Sequence, residues 1–209
     1  MNQLHIVVLD RDTLVNRPFD FDFPHTLSSY GTTEAHETLE RIRGADIVIT
    51  NKVVISAQAF AENPQLKLVA VTATGVNNVD VEAAKQNGTA VCNIRAYGNE
   101  SVAEHAFMMM ITLMRNLPAY QRDVAAGLWE NSPFFCHLGA PMRDLNGKTL
   151  AIFGRGNIGK TLATYAQAFK MNVVFAEHKN AQSIRDGYVS FDEAIRSADV
   201  VSLNCPLTP

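Results

Sequence analysis

Apolar residues fall in short runs separated by polar stretches along the whole chain. Ile6 to Leu9, Ile47 to Ile49, Leu68 to Val71 and Ala90 to Cys92 are continuous runs, while Thr33 to Arg43 and Val81 to Gln86 are polar and compatible with helix. Strands that are apolar at every position are buried on both faces, and their alternation with helices points to a parallel sheet. The pattern predicts a first α/β lobe ending near Tyr97-Gly98.

A long helix is predicted to start after Asn99, with Asn99 or Ser101 as N-cap and Glu104 completing a capping box. It should run to Leu117 and stop at Pro118. Its apolar stretch from Ala106 to Met114 lies between His105 and Arg115. That is far short of the roughly 20 residues a membrane span requires, so it reads as a buried helix. Residues 119–146 carry Trp129, Pro133, Phe134 and Phe135 without clear periodicity. Such apolar content suits an arm that packs on something rather than a free linker. A second strand-and-helix series follows: Thr149 to Phe153, Ile158 to Phe169, Val173 to Ala176, Phe191 to Arg196 and Val200 to Leu203. The predicted domains are residues 1–98 and 99–209, with the arm near 119–146. Only one mononucleotide-type half is visible after Thr149.

Composition narrows the partner. The 209 residues are 47% hydrophobic and 19% charged, the makeup of an ordinary soluble protein of one or two domains. A net charge of −3 lacks the basic footprint of nucleic-acid or anionic-membrane binding, which leaves a small molecule. The N-terminus runs directly into a strand without the features of a signal peptide. Cys92, Cys136 and Cys205 are odd in number and contain no C-x-x-C, so no disulfide framework or metal site is indicated. A reducing cytoplasm is the expected compartment.

The most specific stretch is Leu150-Ala151-Ile152-Phe153-Gly154-Arg155-Gly156-Asn157-Ile158-Gly159, followed by a second apolar run ending in Glu177. It spells a strand, a glycine turn, a helix and a second strand ending in an acid. Gly154 allows a tight turn, Gly156 lets backbone N–H groups approach a pyrophosphate, and Gly159 lets the helix pack on the strand. Glu177 lies 177 − 159 = 18 residues beyond the last glycine, near the roughly 20 expected of the acid that takes a ribose diol. An acid at that position repels a 2′-phosphate and favours NAD over NADP.

Four ordered motifs, Gly154 to Gly159 with Glu177, Ala73-Thr74-Gly75-Val76-Asn77-Asn78-Val79-Asp80, Ser101-Val102-Ala103-Glu104-His105 and Cys205-Pro206-Leu207-Thr208, resemble the D-isomer-specific 2-hydroxyacid dehydrogenases. Ile49 to Val53, Phe135-Cys136 and Ala176-Glu177-His178-Lys179 look most like the bacterial glycerate dehydrogenase, or hydroxypyruvate reductase, branch. The resemblance implies a flavodoxin-like substrate lobe and a partial Rossmann NAD-binding lobe, both with parallel sheets and the active site in the cleft. It implies hydride transfer between NAD(H) and a small 2-hydroxyacid or 2-oxoacid. Thr74 and Gly75 would offer backbone N–H groups to the substrate carboxylate, although a plain turn also accounts for them. Lys52 would attract an anionic substrate, or else be simply solvated. Asn157 and Ile158 would approach the pyrophosphate through their main chain. Cys205, Pro206 and Thr208 would border the nucleotide, with a small core residue the other reading of Cys205. Two departures are Asn204, where many members have histidine, and Lys170, where glycine is common.

Reduction of a 2-oxoacid needs a proton donor at the carbonyl and a cation, because negative charge grows on that oxygen. In the family an arginine, a histidine and a glutamate supply these, in segments that would fall beyond Pro209. His105 and His137 show no acid partner in sequence, so no catalytic residue is assigned. The chain alone is expected to be an inactive fragment, with an open sheet edge and uncovered apolar surface. A non-catalytic NAD-sensing or dimerising module is the alternative. The resemblance also implies a homodimer through Ser101 to Met142, where Trp129, Phe134 and Phe135 fill either an interface or the lobe's own core.

Overall fold

The computed structural model describes residues 3–15 and 18–205. The chain divides into two compact units, Met1–Tyr97 and Gly98–Pro209. In chain order the first holds β1 (Leu4–Val8), β2 (His25–Ser29), α1 (Thr38–Arg41), β3 (Ile47–Thr50), α2 (Ala57–Ala61), β4 (Leu68–Val71), α3 (Val81–Asn87) and β5 (Ala90–Asn93). Its sheet is parallel throughout, in the order β2-β1-β3-β4-β5, which is the flavodoxin-like arrangement. Alternate residues of β1 serve opposite faces. Val7, with Leu9 just beyond the strand, joins Ile42, Phe60, Leu66 and Val69 in the main core, while Ile6 and Val8 pack with Ile49 under Phe19, Phe21 and Phe23. That second face is thus closed by the alternating stretch Phe19-Asp20-Phe21-Asp22-Phe23, whose rings stand 5.8 and 5.6 Å apart.

Two differences from the sequence pattern belong to this unit. β2 escapes notice because His-Thr-Leu-Ser-Ser is polar, as befits a strand at the sheet edge. The predicted helix at Thr33 to Arg43 shrinks to Thr38–Arg41, a single turn held partly by the Arg41–Glu37 ion pair at 2.6 Å.

The second unit continues with α4 (Asn99–Met114), α5 (Leu117–Ala125), β6 (Thr149–Phe153), α6 (Asn157–Ala168), β7 (Asn172–Ala176), α7 (Phe191–Ser197) and β8 (Val200–Leu203). Its parallel strands run β7-β6-β8. α4 and α6 cover one face through Phe107, Met110, Leu162 and Ala166, and Ala194 of α7 packs on Ala151 and Ala176 on the other. The third strand of the first mononucleotide half is reduced to a bridge between Ala176 and Val189. β8 pairs on the far side of β6, so the strand order already reverses here, and the expectation of a single half is corrected by one strand. Among the described residues β8 ends this sheet, and Leu203 is 74% exposed.

The helix expectations also need correction. α4 begins behind Gly98 without a side-chain cap, because Asn99 and Ser101 are already inside it. It ends at Met114, before the predicted stop, where Asn116 turns to a left-handed φ of 49°. Pro118 then opens α5, a position where its missing N–H costs nothing. Part of the arm is therefore helix. α4 is buried on one face only, with Met108, Met109 and Leu113 exposed. Trp129, Phe134 and Phe135 are likewise exposed, Phe135 at 98%, so they do not fill the unit's own core. Lys170 sits at φ 60°, a conformation that costs an L-residue energy and explains why glycine suits that position.

Candidate functional site

The reversal of strand order around β6 sets a crevice beyond the carboxyl ends of β6 and β8, where open α/β sheets bind ligands. It has a volume of about 660 Å³ and is lined by residues of the glycine turn, the end of β7 and the Asn204-Cys205 segment. Gly154 builds its floor. Its φ is +104°, and a Cβ there would lie 2.6 Å from the carbonyl of Asn204 and 2.7 Å from the amide of Cys205. A side chain at Gly159 would run into Gly154 O, so that glycine locks α6 against the turn.

The start of α6 is the feature that can hold an anion. Ser56, Asp80 and Ser190 cap α2, α3 and α7 with side-chain oxygens. α6 begins behind Gly156 with no side-chain cap, and a Cβ at Gly156 would meet nothing within 4 Å. The first N–H groups of an α-helix have no partner within it, and the helix dipole favours negative charge beside them. Asn157 and Ile158 are the first residues of this helix, and Gly156 lines the crevice. The arrangement fits a pyrophosphate.

Glu177 follows β7 and is only 3% exposed. Its Oε1 accepts from Arg185 Nη2 at 2.7 Å and from the His178 amide at 3.0 Å. Its Oε2 accepts from Arg185 Nε at 2.7 Å and from the Arg185 amide at 3.3 Å. The guanidinium above all, and then the His178 amide, pull its pKa down to about 2. Arg185 is the residue that sequence reading missed. A basic side chain eight positions after the acid, inside Arg185-Asp186-Gly187-Tyr188, was its one available signal.

Cys205 lines the crevice and is exposed, which removes the small-core reading. Pro206 and Thr208 lie outside the described residues. Asn204 donates from Nδ2 to Ser202 Oγ at 3.0 Å.

In the first unit, Lys52 and the Thr74-Gly75 pair follow β3 and β4, which are adjacent and parallel. All three are exposed at the same end of the sheet. The Lys52 amide donates to Asp10 Oδ2 at 2.7 Å, and Thr74 O accepts from Asn93 Nδ2 at 2.7 Å. His105 is exposed on α4. His137 does have an acid partner, Asp123 Oδ2 at 2.9 Å from Nε2, which chain separation had hidden. Neither histidine lines the crevice. Among the described residues no group of three or more His, Cys, Asp or Glu could hold a metal ion, and no helix is long and apolar enough to cross a membrane.

Comparison with known proteins agrees with this geometry. Residues 107–209 match the family model for the NAD-binding domain of D-isomer specific 2-hydroxyacid dehydrogenases. A Haemophilus influenzae protein assigned by name to the 2-hydroxyacid dehydrogenases is 41% identical over 98% of this chain and 66% of its own length. The glycerate dehydrogenase of Methylorubrum extorquens is 38% identical over 98% of this chain and 64% of its own length. The chain therefore spans just under two thirds of the length of these two relatives. The crystal structure of D-lactate dehydrogenase from Aquifex aeolicus complexed with NAD and lactic acid superposes with a TM-score of 0.73 at 25% identity, covering 98% of this chain and 61% of that one.

Proposed function

We propose, from the premise that this chain belongs to the D-isomer specific 2-hydroxyacid dehydrogenase family, that it holds NAD in the crevice of its second unit and serves hydride transfer to and from a small 2-hydroxyacid. Glycerate and its oxidised partner hydroxypyruvate are the proposed pair, on the strength of the Methylorubrum extorquens relative. The observation that carries the reading is the uncapped start of α6 at a strand-order reversal, with a buried carboxylate at the end of β7.

In this reading the Asn157 and Ile158 amides hold the pyrophosphate, Gly154 and Gly156 let the backbone come close, and Glu177 receives the ribose. Cys205, Pro206 and Thr208 border the nucleotide. Thr74, Gly75 and Lys52 attract the substrate carboxylate. When bound, the nicotinamide ring supplies the carbon that gives or accepts hydride. The proton donor and the carbonyl-binding cation are not assigned to any residue of this chain, because the resemblance puts them past residue 209. We therefore expect the isolated chain to bind NADH without turnover. Exposed Trp129, Phe134 and Phe135 support a homodimer through the arm. Three free cysteines suit a reducing cytoplasm.

The test is NADH titration by nicotinamide fluorescence, with NADH oxidation at 340 nm in the presence of hydroxypyruvate, glyoxylate and pyruvate. Saturable binding without turnover is expected. Lack of binding would remove the dinucleotide site, and clear turnover would place the acid–base group within these 209 residues.

A further inference from the structure

A dinucleotide fold tells NAD from NADP at the acid after its second strand, because a free carboxylate takes the 2′-hydroxyl and repels a 2′-phosphate. In this chain that carboxylate is not free. Arg185 and the His178 amide occupy both oxygens of Glu177 with four hydrogen bonds. A ribose hydroxyl has to share or displace one of these donors. A phosphate arriving at the same place meets an ion pair rather than a bare anion.

The surrounding charge has the sign that attracts phosphate. Arg155, Lys179 and Arg185 line the crevice against Glu177, its sole carboxylate among the described residues, although the chain as a whole carries −3. The two arginines share one ring. Arg185 Cζ is 4.2 Å and Arg155 Cζ 5.4 Å from the centroid of Tyr188, and Arg155 also lies 4.9 Å from that of Phe175. Aromatic contact holds a guanidinium in place while leaving N–H donors for an anion. Among the described residues the one hydrogen bond of Arg155 goes to the Asp186 carbonyl, at 3.4 Å. Gly187, at φ +75°, makes room for it, since a Cβ there would lie 2.6 Å from Arg155 Nη1.

We propose that Arg185 sets the cofactor preference of this crevice: it neutralises Glu177 and, beside Arg155 on Tyr188, receives a 2′-phosphate, so that the chain binds NADPH as well as NADH. This rests on the reading of the crevice as a dinucleotide site. Charge-assisted hydrogen bonds to phosphate are worth roughly tenfold to a hundredfold in binding.

Fluorescence titration of the 209-residue chain with NADH and NADPH tests it. NADPH should bind within about tenfold of NADH, and Arg185→Ala should weaken NADPH by at least about tenfold while changing NADH by less than about threefold. Arg185→Lys, which keeps the charge and loses the fork, should fall between. A wild-type chain that prefers NADH by more than about a hundredfold overturns the proposal. So does an Arg185→Ala variant that loosens both cofactors equally, because the arginine then only holds its loop. Failure of the wild-type chain to bind NADH overturns the dinucleotide reading and this proposal with it. Calorimetry on the wild-type chain, free of any folding defect in a variant, compares 2′,5′-ADP with 5′-AMP. The bisphosphate should bind at least as tightly and lose affinity more steeply with salt. Binding more than about a hundredfold weaker than 5′-AMP would count decisively against a phosphate site.

Discussion

The first three strands of the two units share one plan and part at the residue that follows the central strand. β1 lies between β2 and β3 as β6 lies between β7 and β8. The registers align Ile6 with Ile47 in one unit and Leu150 with Val200 in the other. At the amino ends an aspartate does the same job in both. Asp46 accepts from the His5 amide at 2.9 Å and from Lys67, and Asp199 accepts from the Thr149 amide at 2.9 Å and from Lys148. At the carboxyl ends the plan splits. Counting up from His5 and Thr149, Asp10 takes the place of Gly154. Asp10 is 4% exposed and bonds the amides of Asn51 and Lys52 at 2.7–3.0 Å. Gly154 presses on the matching Asn204-Cys205 backbone with no side chain at all. A carboxylate thus ties the central strand to the turn after β3 in the first unit, and a glycine leaves the matching backbone of the second beside an open crevice. One topology thus carries a bonded junction in one unit and an open crevice in the other, and the two part at the side chain after the central strand.

The strongest way to break this contrast is Gly154→Ala. The new methyl meets backbone that does not yield, at a φ that L-residues avoid, so we expect a loss of roughly 3 kcal/mol and no NADH binding. Thermal unfolding and fluorescence titration check both. Asp10→Ala should cost roughly 2 kcal/mol, because two amides lose charge-assisted hydrogen bonds. Urea denaturation measures it, and NADH affinity should stay unchanged; a matching loss of affinity would mean that the two units are not independent. The third variant sharpens the comparison through pH. Asp46 is held below its ordinary pKa chiefly by Lys67, and Asp199 chiefly by the Thr149 amide, so this contribution is common to both units. Glu177 adds a further depressed carboxylate in the second unit alone. A lowered pKa contributes stability that is fully present above the ordinary value of 4.5 and vanishes as the pH falls through about 2. Glu177→Gln should therefore be less stable than the wild-type chain at neutral pH and converge with it near pH 2, as read from urea midpoints. Parallel curves would show that Arg185 contributes nothing to holding Glu177 charged.

Much of this was legible in the chain itself. Apolar runs mark seven of the eight strands among the described residues because buried parallel strands need side chains that suit both faces. The exception, β2, is an edge strand that shows only part of itself to the core, and its polar composition hid it. Pro118 misled because proline both ends helices and begins them, and only the left-handed Asn116 before it decides between the two. The glycine turn and Glu177 could be read because their chemistry depends on local backbone geometry at fixed spacing. Arg185, the Asp123–His137 pair and the two arginines against Tyr188 could not.

By itself the sequence determined the parallel α/β class, the glycine turn between β6 and α6 and the acid that follows β7, since each depends on residue type and short-range spacing. Tertiary structure alone decided that β8 crosses to the far side of β6, that Asp10 bonds the Asn51 and Lys52 amides where Gly154 presses bare on Asn204 and Cys205, and that Glu177 meets an arginine. These outcomes rest on contacts between residues brought together by the packing of strands and loops, and no local pattern encodes which of several charged neighbours a fold will place against a given carboxylate.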